Sequence, residues 1–186
     1  YTPRTLFPYT TLFRSVFANL RKAIAFVVAA HVPIVGLSIL PVLIGLPMLL
    51  MPVHILFLQL IIDPACSVVF EAEALEADAM KVAPRRTDQR LFDRALMVRG
   101  LWQGGGLLVL LLGTYASAHL IVPSDAGRDD MARALTFVVL VLSNLALIQA
   151  NRSWVHTSWH SSSASNRQFG WIAAGTIAML CGVLFV

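Results

Sequence analysis

Long apolar runs separated by short polar links dominate the chain from about residue 23 onward. A helix needs about 20 apolar residues to cross the hydrocarbon core of a bilayer. Five runs approach or exceed that length, at roughly 23–43, 51–70, 101–122, 134–150 and 169–186. The pattern predicts an all-α fold, an integral membrane helical bundle of about five transmembrane helices.

The first 15 residues, YTPRTLFPYTTLFRS, do not share this pattern. They resemble translated sequencing-adapter sequence, and Pro8, Thr10 and Thr11 break their apolar part, unlike a signal peptide. We therefore treat 1–15 as an artefact and 16–186 as one membrane domain, with a genuine N-terminal segment as the alternative. The last run ends without a polar tail, so we expect the chain to be a fragment.

Composition and charge agree with a membrane protein, and the distribution of charge predicts its orientation across the membrane. The chain is 58% hydrophobic and 13% charged, whereas soluble domains carry about 25% charged residues. The net charge of +4 does not indicate nucleic acid, because the basic residues lie in short links that alternate with links poor in net positive charge. The positive-inside rule places the N-terminus and links 71–99 and 151–168 in the cytoplasm. We expect a multi-pass protein of a bacterial plasma membrane.

A single acidic residue, Asp63, lies within the apolar runs. A charge at membrane depth costs roughly 2.5–3.5 kcal/mol on insertion scales and usually marks an ion or proton pathway. Asp63 is therefore the first candidate for cation binding. The alternative is a buried carboxyl group kept neutral by a raised pKa.

Three further polar residues lie near the middle of the spans. Gln59 precedes Asp63 by four residues and shares its helix face; His31 and Asn144 lie in the first and fourth spans. Convergence of polar groups at the midplane is typical of transporter ion sites. The alternatives are helix–helix hydrogen bonds for Gln59 and Asn144, and ordinary packing for His31.

Two prolines free backbone carbonyls at this depth, since proline has no N–H to donate. Pro64 frees the carbonyl of Leu60, and Pro33 frees that of Ala29. An unwound turn at residues 59–64 would offer carbonyl oxygens beside the carboxylate, with a simple kink as the alternative. In the third span, the glycines at 104–106 and Gly113 predict a groove for close helix packing.

The chain closely resembles the C-terminal membrane region of P-type cation-transporting ATPases of the calcium-pump-like group, from the fifth to the ninth helix. The resemblance extends from Val16 to Val186 and is most specific between Asn19 and Arg86. It is carried by the motifs NLRKAI (19–24), GLP (45–47), PVHILFLQLIID (52–63), VFEAE (69–73), DAM (78–80) and APR (83–85).

The resemblance implies a set of ion ligands, of which this chain retains only a part. Asp63 matches an aspartate ligand of the sixth helix, and Gln59 stands where that helix has asparagine. His31 and Ile34 stand at asparagine and glutamate positions of the fifth helix, and Asn144 at an acidic position of the eighth. Only Asp63 is unchanged, so a proton or another cation fits better than calcium, which takes 6–8 oxygen ligands.

The resemblance also implies that the phosphorylated aspartate and the nucleotide-binding and actuator domains lie upstream, so no catalytic residue is expected here. ATP and Mg²⁺ would belong to the full-length pump. The expected function is the membrane part of an ATP-driven cation pump, with the transported cation, the lipid bilayer and the missing upstream domains as partners. A free-standing small channel or scaffold protein is the alternative, and the coding sequence upstream of Val16 distinguishes the two.

Overall fold

The computed structural model describes residues 7–64, 68–71, 91–121, 127–152 and 167–185, without the side chains of 7–14, 63, 167, 168, 184 and 185. This part of the chain forms five helices: α1 (Phe7–Leu43), α2 (Pro52–Pro64), α3 (Arg94–Ile121), α4 (Arg128–Arg152) and α5 (Arg167–Phe185). Each predicted span coincides with one helix, which confirms the all-α bundle.

Three of these helices are long and apolar enough to cross a membrane: α1 from Ser15 to Leu43, α3 and α4. The apolar parts of α2 and α5 are shorter within the described residues, Pro52–Ile62 and Phe169–Val183. Helices α1, α3 and α4 also extend several residues beyond the predicted spans, because polar and charged residues continue the helix outside the hydrocarbon core.

A tight turn joins α1 to α2. Gly45 adopts a positive φ of 74°, a conformation that glycine reaches without steric cost. The N–H of Leu46 then donates to the carbonyl of Pro41 at 2.8 Å, as in a glycine-terminated helix end. The turn reverses the chain, so α2 runs back along the bundle.

Helices α1 and α3 run parallel and pack closely through glycine. A Cβ added at Gly100 would lie 3.1 Å from the carbonyl oxygen of Ala25, and one at Gly104 would lie 2.6 Å from that of Ala29. Toward the C-terminal end of α1, Gly36 faces the side chain of Leu108 of α3. These contacts explain the close approach of the two backbones, since only glycine leaves room for it.

The triple glycine takes part in this packing through one residue. Gly105, Gly106 and Gly113 have no described atom within 4 Å of an added Cβ, whereas Gly104 faces α1 directly. Gly100, outside the predicted motif, supplies the second contact. The predicted groove therefore exists, but it follows the four-residue spacing of Gly100 and Gly104 along one helix face.

Helix α4 runs antiparallel to α3 and completes a three-helix core. Gln103 of α3 meets Asn151 of α4 near one end, and His119 meets Asp129 near the other. Helix α2 joins this core through aromatic rings. Its His54 stacks on Phe137 of α4 at a centroid distance of 4.5 Å.

Candidate cation site

The helix directions set the depth of the predicted site residues. Helices α2 and α4 run the same way, and the ring of Phe57 lies 5.4 Å from that of Phe137. Asp63 follows Phe57 by six residues and Asn144 follows Phe137 by seven, which is about 9–10 Å along either helix. The backbones of Asp63 and Asn144 therefore lie at one depth in the bundle.

Asn144 is the most deeply buried of the predicted site residues. Its side chain is 0% exposed, and neither its Oδ1 nor its Nδ2 has a hydrogen-bond partner among the described residues. Buried amides are nearly always hydrogen-bonded, and an unpaired one costs about 1–3 kcal/mol. Within the part of the chain that the structure describes, this buried amide is therefore an exception to the rule.

His31 is partly buried and bonded within its own helix. Its Nδ1 lies 2.8 Å from the carbonyl oxygen of Val27. Because a carbonyl can only accept, Nδ1 is the donor in this contact, and Nε2 is the ring nitrogen that remains for another partner. Ala30, the residue before His31, lies on the deeply buried face of α1. Because successive residues are rotated by about 100° around a helix, His31 points away from the centre of that face.

The depth of His31 differs from that of Asn144. His31 lies between Ala29 and Val32, which contact Gly104, and it is therefore level with the hydrogen bond between Gln103 and Asn151. Asn144 precedes Asn151 by seven residues, two turns toward the N-terminus of α4, and so lies about 10 Å away along the axis. The structure brings Asp63 and Asn144 to one level and places His31 nearer the end rich in arginine.

Gln59 and Asp63 both lie on α2, which is helical through Pro64. The unwound turn expected at 59–64 is not found, since each of these residues is helical. Gln59 is exposed in the described structure. The side chain of Asp63 lies outside the described residues.

No hydrogen bond joins His31, Gln59 and Asn144 among the described side chains. The same part of the chain contains no group of three or more His, Cys, Asp or Glu residues arranged to hold a metal ion.

Sequence reasoning missed a second buried amide, Asn151. It is 0% exposed, and its Nδ2 donates to Oε1 of Gln103 at 3.2 Å and to the carbonyl of Leu147 at 3.0 Å. The sequence feature that could have revealed it is the seven-residue spacing from Asn144, which places both amides on one face of α4. Asn151 therefore forms a helix–helix hydrogen bond, the role that the sequence offered as the alternative for Asn144.

Two further histidines, His54 and His119, lie at helix junctions. Nδ1 of His54 accepts from the N–H of Met51 at 3.2 Å, at the start of α2. Nε2 of His119 lies 3.3 Å from Oδ1 of Asp129, between α3 and α4. Neither residue is near the depth of Asn144, so neither belongs to the candidate site.

Comparison with known families identifies the class of protein. The family described as "Cation transporting ATPase, C-terminus" matches residues 47–186. The match includes α2, α3, α4 and α5, most of the described chain. The chain belongs to this family, and it is an integral membrane protein.

The particular relatives are calcium-transporting ATPases. The chain is 28% identical to one from Bacillus subtilis over 134 residues, 71% of this chain and 14% of the relative. It is 24% identical to one from Listeria monocytogenes over 176 residues, 92% and 18% respectively. It is 21% identical to human calcium-transporting ATPase type 2C member 2 over 173 residues, 93% and 18%. The chain thus spans less than a fifth of the length of these relatives.

Proposed function

We propose that this chain is the membrane part of an ATP-driven cation pump of a bacterial plasma membrane, and that Asp63, Gln59, His31 and Asn144 contribute to cation binding. The observation that carries the proposal is the buried amide of Asn144, which has no hydrogen-bond partner among the described residues and lies at the depth of the Asp63 backbone. The family match and the names of the relatives support the transport of a cation.

The proposed division of roles follows from the chemistry of each group. The carboxylate of Asp63 supplies the charge that attracts a cation, and the amide oxygen of Asn144 supplies a neutral ligand beside it. Gln59 lies one helical turn before Asp63 on the same face of α2. Cation binding would repay the desolvation of these groups, which is otherwise a loss of stability.

The cation we propose is a proton or another cation that needs few carboxylates. Calcium takes 6–8 oxygen ligands, commonly including several carboxylates. Asp63 is the one acidic residue within the apolar runs. His31, which lies about 10 Å along the bundle axis from Asn144, would relay a proton to or from this site and would not ligate the same ion, a role that suits a transported proton better than calcium.

ATP hydrolysis with Mg²⁺ would be performed by other parts of the pump, since this chain spans only 14–18% of its relatives. In that arrangement the described helices supply the binding site and the path across the bilayer. Conformational changes in the hydrolytic domains would change the side to which the site opens.

The test uses a complete pump that contains this segment, reconstituted in vesicles. Asp63→Asn keeps the shape and removes the charge, so transport and cation-stimulated phosphorylation should both be lost. Asn144→Ala should weaken the apparent cation affinity roughly tenfold, because one hydrogen-bonding ligand contributes about 1–1.5 kcal/mol.

Asn151→Ala is the matched control, because Asn151 is an equally buried asparagine on the same face of α4. It should lower stability and leave the cation dependence of transport unchanged. Wild-type transport by Asp63→Asn would show that the carboxylate is structural. Equal shifts in affinity for Asn144→Ala and Asn151→Ala would reduce the role of Asn144 to packing.

A further inference from the structure

The last turn of α3 meets the first turn of α4 through His119 and Asp129. Nε2 of the histidine lies 3.3 Å from Oδ1 of the aspartate, and the two side chains are 25% and 52% exposed. This distance allows an ion pair, but the two groups do not form a hydrogen bond. The attraction between them therefore depends on whether the histidine ring carries a charge.

The inner side of this contact is closed by Tyr115. Its ring meets that of His119 edge to face at a centroid distance of 4.6 Å, and Tyr115 is only 4% exposed. Nε2 of His119 is itself shielded from solvent. Charges attract more strongly where water is excluded, so an ion pair here gains more than one on an open surface.

The other charged groups at this end of the bundle leave Asp129 to His119. Nη1 of Arg133 pairs with Oδ1 of Asp130 at 3.3 Å, within α4. Arg128 and Arg133 are both in electrostatic range of Tyr115. The charges of the two arginines and two aspartates cancel, so the nearest charge, the carboxylate of Asp129, decides how a protonated His119 interacts.

The neighbouring helices add one titratable group near this contact. Helix α3 packs mainly against α1 and α4, and α1 has no titratable residue between Val32 and Leu43. Helix α2 contributes His54, which interacts electrostatically with Arg133. His54 stacks on Phe137, two turns into α4 from Asp129, so it lies deeper in the bundle than His119.

The two helix ends favour the same charges as the ion pair. His119 lies in the last turn of α3, where a positive side chain interacts favourably with the free carbonyls. Asp129 lies in the first turn of α4, where a negative side chain interacts favourably with the free N–H groups. A proton on His119 therefore completes an arrangement of charges that joins the two helices.

We propose that His119 and Asp129 form a pH-dependent latch that fastens the end of α3 to the start of α4 when the surrounding solution is acidic. Histidine changes its charge between about pH 5 and 8. The ion pair forms as the pH falls through this range and is lost as the pH rises. The predicted topology places this end outside the cytoplasm, so the latch responds to external pH, independently of the proposed cation site.

The test is a double-mutant cycle on the full chain, with His119→Gln and Asp129→Asn made separately and together. Unfolding in mixed micelles is followed at about pH 5 and about pH 8. At the lower pH the coupling should change the unfolding equilibrium constant roughly two- to fivefold, the range of partly exposed ion pairs. At the higher pH, where the ring is neutral, the coupling should disappear.

Two controls separate the charge of the histidine from its packing. The same cycle on Arg133→Gln and Asp130→Asn should give equal coupling at both pH values, because arginine stays charged. His119→Lys keeps a positive charge at the higher pH, so its coupling with Asp129 should not depend on pH. Equal coupling of His119 and Asp129 at the two pH values, or none at either, would overturn the proposal.

A second measurement leaves both latch residues in place. Leu120 and Met131 are 88% and 59% exposed beside the latch, so Leu120→Cys and Met131→Cys in an otherwise cysteine-free chain can carry spin labels. The distribution of distances between the labels should be narrower at the lower pH, and His119→Gln should remove this difference. An identical distribution at both pH values in the chain that retains His119 would contradict the latch, whatever the stability of the cycle variants.

Discussion

The contact between α1 and α3 predicts that two neighbouring glycines respond in opposite ways to the same substitution. A Cβ at Gly104 would lie 2.6 Å from the carbonyl oxygen of Ala29 and 2.6 Å from Cβ of Val32. Neither atom can move without its backbone. A Cβ at Gly105 would meet no described atom within 4 Å.

The expected free energies follow from these distances. Gly104→Ala must separate the two helices, and overpacking of this kind costs typically about 1–3 kcal/mol. Alanine regains about 1 kcal/mol through its higher helix propensity, so the net loss is roughly 0–2 kcal/mol. Gly105→Ala receives only the propensity gain, which gives a difference of about 1–3 kcal/mol between adjacent positions.

Two further glycines extend the comparison into a ranking. At Gly100 the nearest atoms to an added Cβ are Cγ1 and Cβ of Val28, at 2.9 and 3.0 Å, so Gly100→Ala should cost somewhat less than Gly104→Ala. At Gly36 the nearest atoms are the methyl groups of Leu108, which can rotate away. Gly36→Ala should therefore be close to neutral.

The assay is reversible unfolding of the purified chain in mixed micelles, with helix content followed as the fraction of denaturing detergent rises. The expected order of stability is Gly105→Ala, then Gly36→Ala, Gly100→Ala and Gly104→Ala. If Gly104→Ala were as stable as Gly105→Ala, the parallel α1–α3 packing described above would be wrong.

Three further predictions concern the buried amides, the topology and the attachment of α2. Asn144→Leu should stabilise the cation-free chain by roughly 1 kcal/mol, because it removes an unpaired buried amide, whereas Asn151→Leu should destabilise it; a loss of unfolding free energy in both variants would contradict this. In an otherwise cysteine-free chain, an impermeant thiol reagent added outside should label Ser124→Cys and spare Thr87→Cys, and the reverse pattern would invert the topology. Phe137→Ala removes the ring that packs against α2, so hydrogen exchange should rise in α2 and stay unchanged at the α1–α3 contact; protection of α2 at the original level would refute its docking by aromatic contacts.

The sequence was sufficient for the fold class and for the order of the helices. Apolar runs of membrane length leave the backbone few alternatives, since in lipid its polar groups must be satisfied within the helix. The link at 44–51 between the first two spans is too short for anything but a reversal, and the structure has a tight turn there. Helix ends were less predictable. Helices α1 and α3 continue into polar sequence, where the length of the apolar run no longer indicates where the helix begins.

The contacts within the bundle were only partly predictable. The triple glycine indicated close packing of the third span, but its sequence does not say which glycine faces a neighbour. That depends on the rotation of α3, which is fixed by Gly100 and Gly104 together. The same holds for Asn144 and Asn151: both are polar residues in an apolar span, and only the position of Gln103 decides which amide is paired.

The carbonyl of Ala29 and the side chain of Asn144 are both polar groups inside the bundle, but they serve different purposes. The carbonyl of Ala29, which has no N–H to bond because residue 33 is proline, lies against Gly104. Contact with a glycine Cα–H partly compensates a carbonyl in such a position, so this break in hydrogen bonding serves the α1–α3 contact. Asn144, by contrast, has two polar atoms without described partners in the centre of the bundle. Substitutions along the α1–α3 contact should therefore change stability, whereas substitutions at Asn144 and at its depth in α2 should change cation dependence.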